Sequence, residues 1–166
     1  MGFSKRRAAS ADGIDRERGA NLVEFAVLAP LLIILVLGIV ELGWLFGQNN
    51  AIKHAAGEAS RYASVDGGPD SPITADEIAQ RACNDLLGGG GVSTLNVAVS
   101  DGGGSFGDDA AITVTAQVAS LSGLSLISSF LPTDLDATAT FRLEQDATWS
   151  TDPSINLDPV TCAVIP

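Results

Sequence analysis

A single carboxylate, Glu24, stands at the mouth of an uncharged apolar run, five residues beyond Gly19 and a basic leader. A carboxylate within a membrane-length segment costs roughly 3 kcal/mol to insert and by default has a function and a partner. Two partnerships are open on helix geometry alone. Cleavage after Gly19 would give Ala20 a free ammonium about a turn and a half from Glu24, in the same chain or a neighbour. Alternatively, Glu24 sits in the headgroup layer at the inner end, near Arg18.

Little else in the chain could do chemistry. His54 is the sole histidine, which leaves no catalytic triad and no histidine-based metal cluster, so a surface position is expected. No phosphate loop, dinucleotide fingerprint or nucleophile elbow is present. The loop Asp101–Asp109 holds three Asp residues among glycines. It lacks the alternating spacing of an EF-hand and the nonapeptide calcium repeat, and reads as a solvated, mobile hairpin without metal. No cofactor is expected. Cys83 and Cys162 are the only cysteines. In an exported domain they would form one disulfide, and the alternative is two buried thiols.

These residues need elements to position them, and charge sets the topology. Before Ala20 there are five basic residues and three acidic ones, whereas beyond Gly47 four basic residues face fifteen acids. Basic flanks stay in the cytoplasm, so the N-terminus should be inside and the acidic bulk outside. A net charge of -11 argues against nucleic-acid binding. The chain divides into a basic, disordered leader (1–19), a transmembrane helix (20–47) and an extracytoplasmic head (48–166). From Leu22 to Gly47 a helix spans a little under roughly 40 Å, enough to cross a bilayer with tilt. Pro30 should kink it. Trp44 and Phe46 suit the outer interface, and Glu41 the outer headgroup layer. Gly43 and Gly47 have the spacing of a close-packing pair, though permissive glycine explains them as well. A cleavable secretory signal is disfavoured, because bulky Glu-Leu-Gly-Trp-Leu-Phe follows Val40.

Beyond the membrane, Ile52, Ala55, Ala56, Ala59, Tyr62 and Ala63 form one helical stripe, which ends at the breaker cluster Asp66-Gly67-Gly68-Pro69. Thr74 and Glu77 make a capping box for a second helix, with Ile78, Ala82 and Leu86 inward. Alternation predicts three strands, around Leu95–Val99, Ile112–Val118 and Ala137–Leu143. Leu121, Leu124, Ile127 and Leu131 suggest a short amphipathic helix stopped by Pro132. The tail from Thr148 reads as irregular. The expected fold is α+β, a long N-terminal transmembrane and amphipathic helix packed on a small three-stranded antiparallel sheet.

The run Arg18-Gly19-Ala20-Asn21-Leu22-Val23-Glu24-Phe25-Ala26-Val27-Leu28-Ala29-Pro30 resembles the processing site of type IV pilin-like proteins. Together with Gly38-Ile39-Val40-Glu41-Leu42-Gly43 and Ala59-Ser60-Arg61-Tyr62-Ala63, it is most similar to the TadE-like pseudopilins of tight-adherence (Flp) pilus systems. The head is a weaker match, Gly-rich and acidic. The resemblance implies a pilin-like fold, cleavage between Gly19 and Ala20 by a prepilin peptidase, and retention of the helix in the inner membrane. It implies that Glu24, with Phe25 beside it, serves assembly by meeting a neighbour's new N-terminus. The implied partners are other pilins or pseudopilins, the inner-membrane assembly platform and the lipid bilayer, and the implied role is not enzymatic. A plain single-span anchor for an independent exported binding domain is the rival, and an exported enzyme a weaker one.

Overall fold

The computed structural model describes residues 11–65, 72–86, 91–123 and 129–166, with side chains described from Asn21 onward. Helix α1 runs Ala11–Val65 and α2 runs Ala75–Leu86. Strands β1 (Val92–Ser100), β2 (Asp109–Val118), β3 (Asp134–Arg142), β4 (Asp152–Leu157) and β5 (Val164–Ile165) complete the order. The chain forms two compact units, residues 1–40 and 41–166.

α1 starts earlier than expected. Residues 11–19 are helical rather than disordered. Nothing between Ala11 and Asn21 is a strong breaker: the two separated glycines, Gly13 and Gly19, cost about 1 kcal/mol each in a helix, and Arg and Glu are good formers. The helix also passes Pro30 without interruption. It ends at Val65, just before the Asp66-Gly67-Gly68-Pro69 cluster, which lies outside the described residues.

The second unit is built on one antiparallel sheet in the order β3-β2-β1-β4-β5. The sheet has five strands, not three. The three strands legible by alternation are its β1, β2 and β3. β1 buries Leu95, Val97 and Val99, and β2 buries Ile112, Val114, Ala116 and Val118. β3 turns Leu135 and Ala137 inward and leaves Ala139 and Phe141 half-buried.

The additional strands come from the tail after Thr148, which had read as irregular. β4 pairs with β1 through Val97↔Ile155 and Leu95↔Leu157. The register shifts between Val97 and Val99, opposite Pro153 and Ser154. Proline, which cannot donate to a ladder, is tolerated at such an irregularity. β5 then adds a two-residue edge.

The alanine-rich stripe of α1 lies in the same core as the strands. Ile52, Ala55, Ala56, Ala59 and Ala63 are buried with Val97, Ile112, Val114 and Leu157. Small side chains allow the helix backbone to approach closely, and the residues off the stripe (Lys53, Arg61) stay exposed. α2 completes the cover with Ile78, Ala79, Ala82, Cys83 and Leu86. Its start is a reciprocal capping box. Glu77 N–H donates to Thr74 Oγ1 at 3.2 Å, and Thr74 N–H donates to Glu77 Oε2 at 2.8 Å. Cys83 is joined by a disulfide to Cys162, tying α2 to the turn between β4 and β5.

The helix expected from Leu121, Leu124, Ile127 and Leu131 lies partly outside the described residues, since 124–128 are not among them. Residues 121 and 122 form a bend and 129–130 a turn.

Candidate functional site

The apolar part of α1 in the first unit is largely uncovered. From Leu22 to Val40 its large side chains, half-buried Leu37 apart, are between 45% (Ile34) and 70% (Val27) exposed. An aliphatic surface this continuous is far beyond what a monomeric protein presents to water. Among the described residues, α1 is the one helix long and apolar enough to cross a membrane. Glu24 and Phe25 are both exposed on it, and among the described residues nothing pairs with Glu24. Gly19 and Ala20 lie within the helical part of the backbone.

The second carboxylate of the helix behaves differently. Glu41 opens the second unit and is 2% exposed. Its two oxygens accept the backbone N–H groups of Leu121 and Ser122, each at 2.9 Å. The bend after β2 exposes these two amides side by side, and a buried carboxylate is stable only where such donors replace water. Trp44, one turn on, also turns to the head rather than outward. Its Nε1–H donates to Ala119 O at 3.3 Å. Its ring lies over Gly91, whose φ is +82° and whose missing Cβ would stand 2.6 Å from Trp44 Cζ2. Phe46 remains 65% exposed. Gly43 and Gly47 have open space where a Cβ would stand. A shallow apolar groove runs along this part of the unit, lined by Leu42, Leu45, Phe46, Leu131, Pro132 and Leu135.

The Asp101–Asp109 loop is tied down by hydrogen bonds along its length. Asp101 accepts Thr151 Oγ1–H at 2.7 Å and Gly103 N–H at 3.2 Å, and the hydroxyl and the amide hold its carboxyl below the usual range. Asp108 accepts Ser105 N–H at 3.1 Å, and Phe106 N–H donates to Asp146. The loop is also laced to the segment after β3 through Gly107 N–H to Leu143 O and Leu143 N–H to Asp108 O. The carboxylates of Asp101 and Asp108 are engaged by amide and hydroxyl donors, which is structural use. At the other end of the sheet, Asp158 accepts the amides of Thr161 and Val160, which keep its carboxyl acidic. Cys162, at φ 56°, closes the same turn. His54 is exposed and meets Asp85 of α2.

Sequence reasoning missed the Glu41 cradle. The available signal was that Glu41 is the only charge between Glu24 and Lys53 and has no cation near it in sequence. Its donors are main-chain groups eighty positions away, which no motif encodes.

An uncovered apolar helix with one carboxylate near its start, leading into a small α+β unit, fits a protein anchored in a membrane by a single span. The comparisons narrow this: residues 19–61 match the family model described as TadE-like protein. The matched stretch contains Glu24, Pro30, Glu41 and most of the alanine stripe, and it is consistent with a TadE-like protein of the tight-adherence pilus system. Neither the curated proteins nor the solved structures give a match.

Proposed function

We propose that this chain is a pilin-like subunit, a pseudopilin or minor pilin, of a tight-adherence pilus. In this reading a prepilin peptidase cuts between Gly19 and Ala20, and the helix stays in the inner membrane with its N-terminus inside and the head outside. The subunit then docks laterally with other pilins at the assembly platform. The observation that supports it is the occurrence, on a largely uncovered apolar helix, of an exposed Glu24 with no partner among the described residues, inside the segment that matches the TadE-like model. In lipid such a carboxylate favours a cation, and the new ammonium of a neighbouring Ala20 is the cation that processing creates. Apolar contact between helices and this one charge pair would together set the stagger of subunits.

The test is Glu24→Ala in the native cell. Membrane insertion should persist, while recovery of the chain with co-purified pilins should fall severalfold. Undiminished co-purification would contradict the assembly role of Glu24. The rival reading is a single-span anchor carrying an independent exported domain, favoured by the head's having its own core and sheet. A plain anchor needs no cut after Gly19, so the N-terminus of the mature chain separates the two.

A further inference from the structure

The two edges of the head's sheet differ. β5, at one edge, is two residues long and is followed by Pro166, which blunts it against further pairing. β3, at the other, runs nine residues without proline, lysine or bulge, and pairs residue for residue with β2 from Asp134 to Arg142. Its free side follows from the ladder. Thr133 O accepts Val118 N–H, and Leu143 N–H donates to Asp108 O, so these two residues turn main-chain groups toward β2. Direction alternates along an antiparallel strand. Asp134, Asp136, Thr138, Thr140 and Arg142 therefore direct their N–H and C=O groups away from β2, and among the described residues nothing is hydrogen-bonded to those groups. The side chains of these five residues are exposed and carry a charge pattern, two acids at the start and a cation at the end. Arg142 Nε–H donates to Gly107 O at 2.7 Å, and no carboxylate among the described residues pairs with its guanidinium. On the core face Leu135 and Ala137 are buried, but Ala139 and Phe141 are half-buried, so the cover is incomplete at this edge.

We propose that β3 docks an extended segment of a partner protein, which adds to the sheet as a sixth, antiparallel strand with an acidic residue opposite Arg142 and basic residues opposite Asp136 and Asp134. The main-chain groups left open by β3 supply the hydrogen bonds, and the alternate side chains select the partner. Each opposite-charge pair lies directly across the ladder, where Cβ atoms stand about 5 Å apart. The inward residues of the added strand are apolar and complete the cover over Ala139 and Phe141. β3 of a second copy also carries this charge pattern, since antiparallel pairing sets Asp134 opposite Arg142. It is not the occupant within one membrane. Edge-to-edge antiparallel pairing relates two copies by half a turn about the sheet normal. The stripe of α1 from Ile52 to Ala63 packs in the core beneath the strands, so the two helices would run in opposite directions. Copies inserted in one membrane with the same topology run the same way. That exclusion rests on α1 spanning the bilayer; the docking edge itself belongs to the head alone and needs no cleavage after Gly19.

The experiment uses the full chain, isotope-labelled and held in detergent micelles, with a synthetic peptide of sequence Glu-Val-Thr-Val-Thr-Val-Lys-Val-Lys, blocked at both ends. Amide exchange read by NMR should show Asp136, Thr138 and Thr140 exchanging fast in the free chain and Ala137 and Ala139 slowly. The peptide should slow the first three severalfold or more. Asp136→Lys, at an exposed position, should weaken peptide binding severalfold, whereas Asp76→Lys in α2 should leave it unchanged. Thr140→Pro removes one outward N–H while keeping the bonds to β2, and should abolish the protection. Absence of peptide binding, or binding that leaves those three amides fast, would overturn the proposal. Equal weakening by Asp136→Lys and Asp76→Lys would reduce recognition to net charge and overturn the stated pattern. Protection of the three amides in the free chain would also overturn it: protection that rises with chain concentration would make a second copy the occupant, and protection that does not would mean that the head covers its own edge.

Discussion

Glu41 shows how one side chain can define a junction. Its carboxylate replaces water for the adjacent amides of Leu121 and Ser122. Glu41→Ala would leave both donors unmet and should destabilise the head by roughly 1–2 kcal/mol. Denaturant titration of the full chain in detergent, read by tryptophan fluorescence, measures this. A change below experimental error would mean that water satisfies both amides. Gly91 makes the complementary case, because its positive φ and the Trp44 ring both exclude a Cβ. Gly91→Ala should cost more than about 1 kcal/mol, measured in the same titration. Asp101 supplies a pH dependence. Thr151 and Gly103 hold its carboxyl below its unfolded value near 3.8. Its contribution is therefore fully present above that value and is lost as pH falls through the lower folded value. The stability difference between the parent and Asp101→Asn should be constant near neutrality and shrink in acid. A difference that instead grew in acid would contradict the assignment.

At the scale of elements, the sequence carried most of what local periodicity can carry. The α1 stripe, the Thr74–Glu77 box and the inward residues of β1, β2 and β3 follow from repeats of about 3.6 or 2, which depend only on near neighbours. β4 was hidden because it has just two inward apolar residues, Ile155 and Leu157, and contains Pro153. Only the β1 edge, with its register shift, makes a strand of it. The hydrogen bonding of the Asp101–Asp109 loop was hidden for a similar reason, since its donors and acceptors include Thr151, Asp146 and Leu143, far along the chain. Glycine content suggested mobility, but Gly102 is there because a Cβ would overlap the Asp109 carbonyl. The disulfide joins two elements that local pattern cannot relate, α2 and the β4–β5 turn, across 79 positions. In the chain-entropy view such a link adds about 4–5 kcal/mol. Reduction should lower the thermal midpoint of the head substantially, and scanning calorimetry with and without a reductant measures the shift. An unchanged midpoint would mean that the packing of Cys83 and Cys162 alone holds the turn on α2.

For the molecule as a whole, the division of charge is the organising feature: a basic leader, an uncharged helix surface and an acidic head. The exposed aliphatic residues between Leu22 and Val40 are largely unpacked within the first unit, so their free energy is realised in lipid or against another apolar helix. Glu24 gives that otherwise uniform surface a single specific point. The candidate site was legible up to there, because a carboxylate in an apolar run is visible in sequence alone. The choice between its two readings, a new Ala20 ammonium or the headgroup layer, was not, because on this account the partner belongs to another copy and exists only after cleavage. The most direct test is the intact mass and N-terminal residue of the chain isolated from its own cell membranes. The account predicts a chain beginning at Ala20. A chain still beginning at Met1 or Gly2 would contradict pilin-type processing and favour a plain anchor, and a start beyond Val40 would contradict the membrane-spanning helix itself.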